Sequence, residues 1–410
     1  MNQRMTSLAA EGRETVARAP RGAALLLRLL AANWTFGRLT VQLPGGATHV
    51  LEGREPGASA VLDIRDYRFA RRVLASGDIG FAEGYMAGEW ETPHLAALLE
   101  VLADNHDHIR RLFDGHPLMK AMHWLSHRRR RNSREGSRRN IHAHYDLGNA
   151  FYAAWLDPTM TYSSARFEGE DQTLEEAQRA KYAALARSMD LRAGHSVLEI
   201  GCGWGGFAEY AAREVGARVT GITISQAQFD FARERMVRAG LGDRVDIRLV
   251  DYRDVEGTFD RVASIEMFEA VGQEYWPAFF GKIREVLAPG GRAGLQIITI
   301  RDDLFAGYAK RTDFIQKYIF PGGVLPSEAA LAPVIADAGL AWRAVERFGL
   351  DYAETLKLWD ERFQAAWRGI ERLGGFDERF RRLWRFYLGY CEAGFRSQRT
   401  DVIQLALERP

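Results

Sequence analysis

Between residues 196 and 300, short apolar runs alternate with amphipathic stretches. Runs at Val197–Ile200, Arg218–Ile222, Val245–Val250, Arg261–Ile265 and Ala293–Ile300 predict strands. Helical spacing at about Phe207–Val215, Gln226–Ala239 and Trp276–Val286 predicts the helices between them. Gly216 and Gly240 stand where a left-handed helix end is wanted. Strand and helix in alternation give an α/β fold with a mostly parallel, doubly wound sheet. Residues 301–400 read as largely helical and aromatic-rich, and Val402–Leu407 is placed to close the sheet as a last strand.

Ahead of the sheet the pattern changes. Residues 1–32 read as an amphipathic helix with Arg13, Arg18, Arg21 and Arg28 among Ala and Leu, suited equally to a membrane surface or to packing on the domain behind it. The small α+β domain expected over 1–125 has alternation at Leu39–Leu43 before Pro44-Gly45-Gly46, a hairpin signal, then a strand at Ala60–Ile64. Its helices are expected at Phe69–Ser76 and Leu95–Asn105. Residues 126–140 form a linker with Arg128 to Arg131, Arg134, Arg138 and Arg139. Such a run is a solvated domain boundary or a contact to an anionic surface, acidic lipid before nucleic acid. The third domain, 141–410, opens with helices at Phe151–Leu156 and Leu174–Met189, the latter with Leu174, Ala177, Ala184 and Leu185 on its core face.

Composition narrows the function classes. The net charge is +1, so no global field recruits an acidic partner, and nucleic acid is not expected without an RNA-binding aromatic signature or zinc-finger spacing. Two cysteines, Cys202 and Cys391, give no disulfide framework and point to a reducing, cytoplasmic setting. His106/His108 and His142/His144 are too sparse to hold a metal, and none is expected. No apolar run is long enough to span a membrane, and Ala23–Leu30, interrupted by Arg28, lacks a signal-peptide layout.

The chemistry centres on Ser196-Val197-Leu198-Glu199-Ile200-Gly201-Cys202-Gly203-Trp204-Gly205-Gly206-Phe207. A strand ends in a glycine cluster and a helix begins at once, the arrangement that lets a nucleotide-type ligand press on main-chain N–H groups. Gly201, Gly203 and Gly206 satisfy the dinucleotide spacing, but the second strand lacks the acidic residue that a dinucleotide ribose needs. The stretch instead resembles the S-adenosylmethionine loop of class I methyltransferases and, in its full form, that of the cyclopropane-fatty-acid synthase family. From about Arg138 onward the resemblance continues in order: His144-Tyr145-Asp146-Leu147, Met160-Thr161-Tyr162-Ser163, Thr223-Ile224-Ser225, Met267-Phe268-Glu269, Lys317 to Gly323, Tyr387-Leu388 and Phe395-Arg396.

The resemblance implies a cytoplasmic enzyme, peripheral at the inner membrane surface, that methylates the double bond of an unsaturated phospholipid acyl chain. Tyr162, Ser163, Gly201 and Gly203 are expected at the donor, with Thr223, Ile224 and Gln228 at its ribose. Tyr252 would stack on the adenine, with Asp251 or Arg253 at its edge. Gln228 also completes a Ser225-x-x-Gln228 capping box, and 251–253 also reads as a surface turn. Methyl transfer to an alkene leaves a carbocation, which aromatic faces stabilise and a base must resolve. In the family that base is a bound bicarbonate, and the matching positions here are Ser164, Glu269, Gln296, Ile298 and Tyr387. Glu266, three residues before Glu269, is the second carboxylate at that strand end. Ser164, Gln296 and Ala270 depart from the family's Cys, His and His. The departures put ring closure in doubt more than methyl transfer, leaving a cyclopropane or a methyl-branched alkene, the latter with a reductase partner, as the expected product. A dimer is the candidate assembly. The alternatives are a methyltransferase for a small soluble metabolite and a lipid-binding homologue that has lost catalysis.

Overall fold

The structure, a computed structural model, describes residues 20–113, 147–169 and 171–410. The chain divides into two compact units: Met1–Ser126 with Arg311–Lys317 and Gly375–Ser397, and His127–Lys310 with Tyr318–Gly374 and Gln398–Pro410.

The smaller unit holds β1 (Phe36–Gln42), β2 (Thr48–Glu52), β3 (Glu55–Ile64) and β4 (Trp90–Glu91), in sheet order β2-β1-β3-β4. The expected hairpin joins β1 and β2, and β3 lies parallel to β1. Helix Arg68–Met86 runs past the expected end at Ser76, with a break at Gly77, whose φ of 61° and ψ of −129° suit glycine. Helix Arg21–Asn33 buries Ala23, Leu26, Leu27 and Leu30, so this stretch packs within its unit. Arg13, Arg18, the basic linker and His142/His144 lie outside the described residues. Helix Glu378–Arg396 belongs to this unit, with Phe386 packed among Phe81, Tyr85 and Trp90.

The larger unit holds β5 (Ser196–Ile200), β6 (Arg218–Thr223), β7 (Val245–Leu249), β8 (Phe259–Ile265), β9 (Leu287–Ile300), β10 (Ala341–Arg347) and β11 (Thr400–Glu408). Their order is β10-β11-β9-β8-β5-β6-β7. β5 to β9 are mutually parallel, and β11 returns antiparallel against β9. Successive side chains of a strand point to opposite faces. Leu198 accordingly joins Ile222, Phe279 and Ile283 in one apolar layer, while Val197 joins Tyr182, Phe207 and Val219 in the other. Both faces are covered, which is why these strands read as continuous apolar runs. β10 lies inside the stretch expected to be helical. It is an edge strand paired with β11 and half exposed, so it lacks an apolar run. The helix after the glycine loop is α-helical over Gly206–Tyr210 and turns π over Ala211–Val215, ending on Gly216 at φ 81°. Among the described residues, no helix is long and apolar enough to cross a membrane.

Candidate active site

β5 ends where the strand order reverses, with β6 on one side and β8 on the other, the crevice in which open α/β sheets bind ligands. The glycine loop turns there. Gly201 has φ 81°, and a Cβ on it would stand 2.8 Å from Met267. Gly203, at φ 52°, has nothing within 4 Å of where a Cβ would be, so the backbone is bared to open space. Beside the loop, Glu199 is buried and its Oε2 lacks a hydrogen-bond partner. Burial pushes its pKa up to about 8, against the opposing charges of Arg235 and Lys181. A buried acceptor without a donor, next to bared backbone N–H groups, fits a ligand carrying an ammonium and a carboxylate, as S-adenosylmethionine does.

Of the other expected donor residues, Thr223, Ile224 and Gln228 lie at or just after the end of β6, and Asp251, Tyr252 and Arg253 follow β7. At the end of β6, Thr223 Oγ1 donates to Gln228 Oε1 at 2.8 Å and accepts from Ser225 N at 3.1 Å. Ser225 Oγ caps the following helix through Gln228 N, but Gln228's side chain does not return to Ser225, so the expected box is half formed. Gln228 Nε2 has no hydrogen bond among the described residues, which leaves it for a ribose; Ile224 is half-buried and lies between Thr223 and Ser225. After β7, Asp251 caps a short turn and holds Arg253 by a two-point ion pair at 2.8 and 2.6 Å. Tyr252 packs edge-on to Phe279 with the Arg253 guanidinium over its ring. Ser163 Oγ accepts from Lys181 Nζ at 2.7 Å, and Tyr162 packs among Tyr152, Trp155 and Trp359.

The carboxylate pair lies at the end of β8. Glu269 Oε1 accepts from Ile298 N, while its Oε2 is buried without a partner. Burial first, then the neighbouring Glu266 charge, push the Glu269 pKa up to about 8. Glu266 is different. Its Oε1 accepts from Ser164 N at 2.8 Å and from Gln296 Nε2 at 2.7 Å, and its Oε2 from Tyr352 OH at 2.7 Å. Its φ is 48°, a left-handed conformation that costs a residue with a β-carbon roughly 1 kcal/mol. Gln296, level with Ile265 across the β8–β9 ladder, also donates to Ser164 O and accepts from Gln404 Nε2 at 3.1 Å. Ser164 Oγ donates to Ala165 O.

The family model for mycolic acid cyclopropane synthetase matches residues 132–405. The chain belongs to this family. It is 41% identical to the tuberculostearic acid methyltransferase UfaA1 of Mycobacterium tuberculosis over 96% of this chain and 94% of that one. It is 35% identical to the cyclopropane-fatty-acyl-phospholipid synthase of Escherichia coli strain K12 over 92% of this chain and 94% of that one. The structure of mycolic acid cyclopropane synthase CmaA1 complexed with SAH and CTAB is 32% identical, with a TM-score of 0.62 over 66% of this chain and 98% of its own. The protein is therefore an S-adenosylmethionine-dependent methyltransferase acting on fatty-acyl double bonds.

Four of the residues that the family resemblance places at the base, Ser164, Glu269, Gln296 and Ile298, come together in the larger unit. Tyr387 belongs to the other unit, on helix Glu378–Arg396, with its ring against Trp384. Within the larger unit, the tyrosine hydroxyl on the carboxylate pair is that of Tyr352. Sequence reasoning also missed Lys181 and Gln404. Lys181 is fully buried, and its charge acts on Glu266, Asp157 and Glu199 while burial lowers its own pKa to about 7. The signal was its spacing, since it falls on the apolar stripe of Leu174, Ala177, Ala184 and Leu185. Gln404 carried no signal apart from its place in an apolar last strand.

Proposed function

We propose that this protein methylates the double bond of an unsaturated phospholipid acyl chain and releases a methyl-branched alkene rather than a ring. The observation that carries this reading is the link from aromatic wall to carboxylate. Tyr352 donates to Glu266 and meets Trp359 edge-on, and Trp359 packs on Tyr162 and Trp155. Tyr162 precedes Ser163, held by Lys181, so the donor side, the aromatic faces and the acid–base groups adjoin. When bound, S-adenosylmethionine supplies an electrophilic methyl group. The protein's own part is to aim it, to stabilise the carbocation on the acyl chain with aromatic quadrupoles, and to remove a proton.

Bicarbonate does not fit the donors at the base. Ser164 N and Gln296 Nε2 are already committed to Glu266, and Ser164 Oγ to Ala165 O. Gln296 also has no titratable group where the family resemblance expects a histidine. A changed proton acceptor supports a changed product, in keeping with the similarity to a tuberculostearic acid methyltransferase. A methylated alkene would in turn be the substrate of a reductase. The arginines of 126–140, at about 1 kcal/mol each near anionic lipid, support peripheral binding at a membrane surface.

The test is incubation of the purified protein with unsaturated phospholipid vesicles and deuterated-methyl donor, followed by mass spectrometry before and after ozonolysis. The expected product carries label and is cleaved by ozone. A labelled, ozone-resistant product would mean cyclopropanation. Label on soluble acceptors with none on lipid would overturn acyl methylation.

A further inference from the structure

We infer that Glu266 is the proton acceptor of this enzyme, a built-in carboxylate that stands in for bicarbonate. The inference rests on the acyl-methylation reading and deepens it. The positions that the family resemblance assigns to a bound anion are Ser164, Glu269, Gln296, Ile298 and a tyrosine. Here Ser164 N, Gln296 Nε2 and the Tyr352 hydroxyl all point at one carboxylate, and that carboxylate is covalently part of the chain. A planar oxyanion with three donors on two oxygens is what a bicarbonate site would offer its guest. The guest's place is taken.

The backbone supports the same reading. Glu266 sits at φ 48°, where glycine is at ease and a side chain is not, and such strain persists where the surroundings hold it for a purpose. The side chain is held by groups from three directions: the loop at Ser164, strand β9 at Gln296, and helix Gly349–Arg372 at Tyr352. Lys181 supplies positive charge nearby, and with the three donors it offsets the burial that raises the Glu266 pKa. Glu269 is the poorer acceptor. Ile298 N alone meets its Oε1, its Oε2 has no donor, and the charge of Glu266 adds to the burial that raises its pKa, whereas three donors converge on Glu266 to support a charged carboxylate there.

In the proposed step, a C–H bond beside the cationic carbon of the acyl chain breaks. Its electron pair becomes the π bond between that carbon and the former cationic carbon, which leaves the methyl-branched alkene neutral, and the proton passes to a Glu266 carboxylate oxygen, then to solvent before the next turnover. No further reactant is needed. A tethered base reaches only the protons within its arc, whereas a free anion can reorient, so the tether bears directly on which carbon loses its proton.

The experiment compares wild type with Glu266→Gly and Glu266→Gln in buffer purged of carbon dioxide, with and without added bicarbonate. Glycine suits the backbone and opens a hole of the anion's size. Wild-type turnover is expected to be independent of bicarbonate. Both variants should lose about a hundredfold or more, the usual weight of a general base, and bicarbonate should restore Glu266→Gly at least about tenfold. Carbon-13 line broadening of labelled bicarbonate should show binding to Glu266→Gly and none to wild type, a readout that needs no turnover. Bicarbonate-dependent wild-type turnover, bicarbonate binding to wild type, or an unimpaired Glu266→Gly would each overturn the inference. Absence of labelled lipid from every variant would overturn acyl methylation instead, and the binding readout would still decide the fate of the carboxylate's role.

Discussion

Lys181 reaches Ser163 at 2.7 Å, and neither side chain is exposed to solvent. The lysine's charge acts on three carboxyls, those of Glu266, Asp157 and Glu199. Its removal takes a positive charge from all three and the donor from Ser163 Oγ. Lys181→Met should destabilise the protein by about 3 kcal/mol, as breaking a buried charge cluster does. Donor affinity should fall about tenfold, the weight of one lost charged hydrogen bond. Denaturant titration and calorimetry with the donor measure the two effects. Unchanged affinity alongside lost stability would leave Lys181 with a purely structural role.

Glu269 gives the protein a pH signature. Its pKa is raised from 4.5 to about 8, so its contribution to stability is full below pH 4.5 and declines as pH rises through 8. The slope is at most about 1.4 kcal/mol per pH unit for such a group. Glutamine mimics the protonated acid, so Glu269→Gln should match wild type near pH 5 and be increasingly more stable toward pH 8. Glu199 adds a slope of the same sign, and Lys181, lowered from 10.5 to about 7, adds one of opposite sign above pH 7. A stability difference that stays constant across this range would contradict the assignment of the Glu269 shift.

Gly203 separates fold from ligand. No protein atom lies within 4 Å of where a Cβ would stand there, yet φ is 52°. Gly203→Ala should lose about 1 kcal/mol of stability from the left-handed backbone alone. If the donor lies against this glycine, affinity measured by calorimetry should fall at least about tenfold, the cost of one clash of roughly 1.4 kcal/mol. Retained affinity would move the donor elsewhere.

The two tyrosines are distinguished by one atom each. Tyr352→Phe removes the hydroxyl donor from Glu266 and should lower kcat by about tenfold, with little change in donor affinity. Tyr387→Phe leaves that bond in place and should leave kcat within about twofold, the range of a lost neutral contact. The reverse ranking would give Tyr387 the role assigned here to Tyr352.

These contrasts show what was legible in the sequence. The glycine loop was, because a buried parallel strand must be apolar and four glycines beside it have few other uses. The parallel sheet followed from the same alternation. β10 was not legible, because an edge strand exposed on one side mixes charge with apolar residues. The choice between Glu266 and Glu269 turned on which carboxyl meets Gln296, and β9 brings Gln296 to the end of β8 from 30 residues away. Tyr352 and Tyr387 both sit in aromatic-rich helices, and the pattern alone does not tell which one brings its hydroxyl to Glu266.

That division has a consequence for how the protein is made. The smaller unit is assembled from residues before 127, a short piece at 311–317 and a last one at 375–397. A ribosome delivers these pieces in order, so the amino-terminal segment waits for nearly the whole chain before its core partner Phe386 exists. A fragment cut at the arginine-rich linker would lack that partner. Its exposed apolar face would draw chaperones or aggregate, so the smaller unit needs the chain's late helix to complete its core.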